Sequence, residues 1–179
     1  MDSTHEIVAK SPSACSPAEI RDFVALVEQG GEVASGGLQQ RVMGAAQLAF
    51  LRADNRLAGV AALKNPNATY RARVASASGD VLPQELFPYE LGWVFVAQEV
   101  RGNGYAQPLS QAALSFAGTC GVFATSRTDN PAMHRTLVNL GFVQSGSAYP
   151  SQHGGHHLQL FTRVPPNSSF KPTPLRGAA

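Results

Sequence analysis

Residues 98 to 107 read QEVRGNGYAQ, an arginine and two glycines around an asparagine, directly ahead of a helical pattern. The first N–H groups of a helix have no intrahelical partner, and the macrodipole places partial positive charge there. Gly102 and Gly104 let a ligand approach the backbone with no Cβ in the way. Arg101 adds a forked donor that matches phosphate oxygens. A strand, this turn and a helix in series make a cradle for a pyrophosphate. The stretch has neither the Lys-Ser/Thr pair of a P-loop nor the dinucleotide GxGxxG, so those two chemistries are not indicated. Taken alone, the ten residues fit equally a plain helix entry whose glycines serve only the turn.

Glu90 opens the apolar run YELGWVFVA. A carboxyl buried at the head of such a strand is a candidate general base. A strand-end carboxylate facing solvent, or paired with Arg71 or Arg73, fits the same residue types. The stretch HGGHH at 153–157 has neither helical nor zinc-ribbon spacing and no nearby cysteine, so it reads as a hairpin turn and no metal site is expected. Cys15 and Cys120 lie far apart without a CxxC pattern, which predicts reduced thiols, with Cys120 as a small buried hydrophobe.

The elements that must position these residues follow from capping and periodicity. Ser16, Pro17 and Glu19 form a helix start with a capping box, and Ile20, Phe23, Val24 and Val27 give one apolar stripe before Gly30–Gly31. A second helix is expected from about Leu38 to Ala46. LAFLRADNRLAGVAALK reads as a hairpin turning at Asp54 and Asn55. Residues 64 to 88 carry Pro66, Gly79, Pro83 and Pro88 with no clean period, and read as a long functional loop. YELGWVFVA predicts a central strand covered on both faces. After the glycine turn, Leu109, Ala112, Ala113, Phe116 and Ala117 form a helix stripe, and VFATSR a strand. NPAMHRTLVNLGF predicts a short helix capped by Asn130 and ended at Gly141. Two strands near 143–149 and 157–163 complete a mixed α/β domain.

The composition sets limits on partners. Apolar residues make up 44% of 179, enough for one sizeable core. A net charge of +2 over that length argues against a dedicated nucleic-acid binder. No apolar run is long enough for a membrane span, and the acidic, non-apolar N-terminus predicts no signal peptide, so a cytoplasmic protein is expected. The stretch VPPNSSFKPTPLRGAA is polar and Pro-rich, which predicts a single domain over 1–163 and a disordered tail over 164–179.

VRGNGYA between a strand and a helix resembles the Arg/Gln-x-x-Gly-x-Gly/Ala signature of the GNAT superfamily of acyl-CoA N-acyltransferases. The likeness runs from about Leu48 to Arg163, and NPAMHRTLVNLGF is similar to the family's second motif. It implies a mixed, mostly antiparallel central sheet flanked by helices on both faces. It also implies an N-acetyltransferase that takes acetyl-CoA as co-substrate and a primary amine of a small molecule or protein as acceptor. In relatives the glycine turn holds the CoA pyrophosphate, which implicates Arg101, Gly102, Asn103, Gly104, Tyr105 and Ala106. The end of the preceding strand pairs with the pantetheine arm, implying Phe95 and Val96, and the second-motif asparagine reaches the cofactor, implying Asn130. Asn130 fits a simple helix cap as well. Glu90 resembles the glutamate that deprotonates the amine in the histone-acetyltransferase branch.

Many relatives place a leaving-group tyrosine in the second-motif helix where this chain has Leu137, so a non-catalytic acyl-CoA-binding module stays open. Tyr105, His134 and Tyr149 are substitutes by residue type, with His134 expected to be exposed. Tyr70, Phe87 and Tyr149 are expected to wall the acceptor cleft. Many relatives are homodimers, and the resemblance allows one here. The tail is also similar to peptides read from the recombination sites of integron gene cassettes.

Overall fold

Ser16 begins the first helix as its residues predict. Its hydroxyl accepts from the Glu19 N–H at 3.2 Å, and the Glu19 carboxylate accepts from the Ser16 N–H at 2.8 Å. Pro17 follows at the first helical position, and α1 runs Pro17–Gln29 with Ile20, Phe23 and Val27 buried. The computed structural model describes residues 4–173. They form two compact units, 4–64 with 91–116, and 65–90 with 117–173.

In the first unit, β1 (His5–Lys10), β2 (Gln47–Ala53), β3 (Arg56–Lys64) and β4 (Tyr89–Val96, from Leu91 onward) lie in that order. β1–β2 and β2–β3 are antiparallel. Asp54 and Asn55, with φ of 48° and 62°, make the β2–β3 turn, a conformation these two residue types tolerate better than most. Side chains alternate across the sheet. Leu48, Phe50, Val60 and Ala62 pack with α1 and with α2 (Leu38–Met43). On the other face, Leu109 of α4 (Ala106–Leu114) comes against Leu51 at Gly59. β1 has no counterpart in the sequence reading, because as a mostly exposed edge strand it shows no apolar stripe.

In the second unit, β5 (Val122–Arg127), β7 (His157–Arg163) and β6 (Val143–Pro150) are antiparallel neighbours, with β7 in the middle. Leu160 faces the cluster of Val74, Leu82, Phe87, Phe123 and Tyr149. The adjacent Phe161 instead meets His134 of α5 (Pro131–Asn139), ring centroids 4.9 Å apart. Helices therefore cover both faces in this unit also. The structure corrects four sequence expectations. Residues 64 to 88 contain a helix, α3 (Ala68–Ser78), whose buried face is Arg71, Val74 and Ser78. A face so polar has no apolar period to read. Phe116 is 54% exposed because α4 ends at Leu114 and a 3-10 turn re-aims the next residues. Cys120 is exposed, in the turn that follows. His134 is half-buried, its ring on Phe161 and its Nε2 2.8 Å from the Arg127 carbonyl.

Composition suggests disorder after Arg163, yet specific contacts continue to Thr173. Phe170 packs edge-on against Phe87, 5.2 Å between centroids. Thr173 donates its N–H and hydroxyl to the Asp80 carboxylate, and its carbonyl accepts from Gly146. Gly146 has φ 63°, and a Cβ there would collide with the Ser78 carbonyl, so the position requires glycine. Residues 174–179, the end of the cassette-like stretch, lie outside the described residues. Among the described residues no helix is long and apolar enough to cross a membrane.

Glu19 ties the α1 cap to β1. Lys10 Nζ lies 2.6 Å from its Oε1, and Arg52 lies 3.6 Å away. The Lys10 hydrogen bond, then the bond from the Ser16 N–H, hold the Glu19 carboxyl down at about 2. Because the folded value lies below the ordinary one of about 4.3, this stabilisation is fully present above that ordinary value. It is lost as pH falls toward 2. The Tm of the wild type should therefore fall more steeply across this acid window than that of Glu19→Gln. Parallel melting curves for the two proteins would show that the pair contributes nothing.

Candidate functional site

The first unit carries the glycine turn. A 3-10 turn at Gln98–Val100 leads from β4 into it. Gly102 and Gly104 have φ of 84° and 77°, which non-glycine residues adopt only with strain, and nothing lies within 4 Å of a Cβ added to either. Their necessity here is backbone shape. Tyr105, at the head of α4, caps the helix with no side-chain bond. Among the described residues, no protein acceptor is recorded for the N–H groups of residues 102–106. Consecutive unpartnered N–H groups at a helix start are an anion-binding concavity.

The side chains of the turn hold it in place. Arg101 Nε donates to the Val96 carbonyl at 2.7 Å, and its guanidinium stacks 5.3 Å from the centroid of Phe95. Asn103 Nδ2 donates to the carbonyls of Val100 and Arg101 at 3.0 and 3.4 Å. Tyr105 lies over His5, centroids 4.7 Å apart. Ala106 is the first residue of α4. Phe95, Val96 and residues 101–106 are thus one connected group, and Arg101 serves as its clamp. Just upstream, Trp93 has φ 51° inside β4, a rare conformation for a bulky residue. Phe23 edge-on at 6.4 Å and Lys64 over the ring at 5.0 Å pin it there. The inverted residue breaks the regular course of β4 ahead of Phe95 and Val96.

The second unit carries Glu90, which is 2% exposed. The cap at Asn67, whose side chain accepts from the Tyr70 N–H at 2.7 Å, starts α3 so that Tyr70 turns inward. The Tyr70 hydroxyl donates to Glu90 Oε1 at 2.7 Å and is itself hydrogen-bonded by Thr125. Arg71 donates to the carbonyls of Phe87 and Pro88 and stacks on Phe123. Burial draws its pKa down, and the charges of Glu90 and Glu85 draw it back up. Burial, then the Glu90 charge and hydrogen bond, push the Tyr70 hydroxyl well above its ordinary range. Burial and the Glu90 charge also push up the Tyr149 hydroxyl, with Arg73 opposing them. Both phenols therefore stay protonated at neutral pH, as donors. Tyr149, 7% exposed, has no hydrogen-bond partner for its hydroxyl among the described residues.

Phe87 and Tyr149 are buried in one core cluster, with Tyr70 packed against it. What the sequence reading missed is that the Tyr70 hydroxyl serves Glu90; the available signal was the Asn67 cap with Gly79, left-handed at φ 69°, closing the helix. Asn130 caps α5, its Oδ1 accepting from the Met133 N–H at 3.1 Å. Leu137 is fully buried. Among the described residues no three His, Cys, Asp or Glu converge as a metal requires.

Residues 19–142 match the model of the Acetyltransferase (GNAT) family, and the chain belongs to that family. Its fold recurs in solved structures of low identity. An acyl-CoA N-acyltransferase from Pseudomonas aeruginosa shares 15% identity at a TM-score of 0.63, over 89% of this chain and 99% of that one. A GNAT-family acetyltransferase from Streptococcus agalactiae shares 14% at 0.65, over 88% and 95%. The yncA protein of Salmonella typhimurium, solved with its cofactor acetyl-CoA, shares 14% at 0.60, over 93% and 96%. A search of curated proteins finds no match.

Replacing Tyr70 by Phe removes the donor to a buried carboxylate and little volume. Hydrogen bonds to charged groups contribute about 1.5–3 kcal/mol, so Tyr70→Phe should lower unfolding stability by that order in urea titration. A midpoint equal to wild type would show that the Tyr70–Glu90 bond does not hold α3.

Proposed function

We propose that this chain transfers an acetyl group from acetyl-CoA to a primary amine by direct attack. The observation that carries the reading is the run of N–H groups from Gly102 to Ala106 with no protein acceptor, at the signature turn of a family whose member from Salmonella typhimurium was solved with acetyl-CoA. These groups would hold the pyrophosphate, with Arg101 keeping the turn in register from behind. A carbonyl has two lone pairs. The Val96 carbonyl gives one to Arg101, so an arm of the co-substrate would meet the second or the strand's N–H groups. Asn130 would reach the same co-substrate through its side-chain Nδ2, because its Oδ1 caps α5 and its backbone N–H and carbonyl are bonded to Arg127 and His134.

Glu90 is the base in this reading. It takes one proton from the amine, directly or through water, the nitrogen lone pair attacks the thioester carbon, and the C–S bond breaks. The CoA thiolate leaves and takes up a proton. A backbone N–H near Val96 would face the oxygen where negative charge develops, and holding two reactants in line supplies much of the rate. A thiol of pKa about 8.5 leaves tolerably without an acid, which suits the absence of a hydroxyl at Leu137. That same buried leucine favours a second reading, an acyl-CoA-binding module without turnover.

Thermal shift with acetyl-CoA, CoA and longer acyl-CoAs tests the first half. Acetyl-CoA should raise the Tm, and Gly104→Val, which places a branched side chain at a left-handed position in the cradle, should abolish the shift. A shift that survives this substitution would place the co-substrate elsewhere. Thiol release with a panel of amines tests the second half. Glu90→Gln should slow turnover roughly a hundredfold or more while leaving the CoA shift intact. Saturable CoA binding without turnover by the wild type would establish the module instead.

A further inference from the structure

Arg73 is an exposed charged side chain of α3 beside Tyr70. Its guanidinium stacks on the Tyr70 ring, 5.2 Å from the centroid, and the residue is exposed. Among the described residues it makes no ion pair or hydrogen bond. The ring contact holds the guanidinium in place while its N–H donors stay available. Tyr70 thus has a cation on its ring face and a carboxylate, Glu90, on its hydroxyl. Tyr149 lies within the field of both charges, and its buried hydroxyl has no partner among the described residues. The remaining charges nearby are Arg71, turned to backbone carbonyls, and Glu85, whose charge reaches Arg71.

We propose that the acceptor is a short dipolar amine, an α-amino acid or a close analogue, whose anionic group pairs with Arg73 while its amine faces Glu90 and Tyr149. This rests on the acetyl-transfer reading above and narrows it. A planar guanidinium held over an aromatic ring can meet a carboxylate or phosphonate in a two-pronged pair. A polyamine or aminoglycoside would bring a second cation toward Arg73 and is disfavoured by charge. A simple alkylamine satisfies the Glu90 end and leaves the guanidinium unused. The Tyr149 hydroxyl, which keeps its proton, supplies a further donor.

The test compares matched ligands that differ only in the carboxylate, for instance leucine against 3-methylbutylamine and phenylalanine against phenethylamine. Binding is read by calorimetry in the presence of CoA, so it does not require turnover. Wild type should bind at least one amino acid on the order of tenfold more tightly than its amine, the scale of one charge-assisted pair. Arg73→Ala should erase that preference while leaving CoA affinity unchanged, and Arg73→Lys should restore part of it. Equal binding within every pair, no binding by any amino acid of the panel, or a preference that survives Arg73→Ala would each overturn the proposal. A loss of CoA affinity in Arg73→Ala would also overturn it, by assigning the guanidinium to the co-substrate. If amino acids bind through Arg73 yet no thiol is released, the acceptor subsite stands and the acetyl-transfer reading falls.

Discussion

A carboxylate that is 2% exposed cannot be left to itself, and Glu90 sets the terms for the second unit. An ionised group away from water must be met by donors and compensating charge, or its burial costs several kcal/mol. Tyr70 supplies a hydrogen bond, Thr125 orients Tyr70, and Arg71 brings positive charge from the same helix. α3 therefore turns a polar face inward. Its position depends on the Asn67 cap at one end and Gly79 at the other, since a one-residue shift would take Tyr70 off the carboxylate. The aromatic cluster of Phe87, Phe123 and Tyr149 keeps water from competing with these bonds.

The glycine turn of the first unit works by the opposite means. In the proposed reading its recognition groups are backbone N–H donors, which any sequence carries, so what the residues must specify is conformation. Gly102 and Gly104 adopt the left-handed angles, while Arg101 and Asn103 use their side chains to tie the turn to Val96, Val100 and itself. Arg101 read as a phosphate ligand from sequence because a fork of donors suits an anion. In the structure one prong is bonded to Val96 and the plane rests on Phe95. Trp93 belongs to the same logic: a strained backbone angle persists where neighbours over-determine it, here Phe23 and Lys64, and it alters the run of β4 ahead of Phe95 and Val96.

These two means explain what could be read in advance. α1, α5 and the β2–β3 hairpin were legible because cap, stripe and turn chemistry agree locally, as at Ser16–Glu19, Asn130 and Asp54–Asn55. The signature turn was legible because only glycine serves at its two angles. β1 was not, since an edge strand exposes most of its residues. α3 was not, since Arg71 and Ser78 stand where a period of apolar residues would be sought. Phe116 was misplaced because the stripe of α4 continues in sequence past the point where the helix itself stops. The contacts of the stretch to Thr173 were not legible, since a lone aromatic, Phe170, and one threonine make them. Composition averages such anchors away.

The acceptor half is harder to read than the co-substrate half for a physical reason. Acetyl-CoA presents the same pyrophosphate to every enzyme that uses it, and a constant anion can be met by a local motif, which in the proposed reading is the turn at residues 101–106. In the proposed reading an acceptor would be met by side chains brought from different elements: Tyr70 and Arg73 from α3, Glu90 from the start of β4, Tyr149 from β6. No spacing in sequence joins them, and each alone has an ordinary reading as a helix residue, a strand end or a core aromatic. Their meaning comes from a shared environment, in which one tyrosine ring links a fixed cation to a buried anion. A charge pattern of this kind discriminates among amines by what else they carry, because the amine itself is common to all of them.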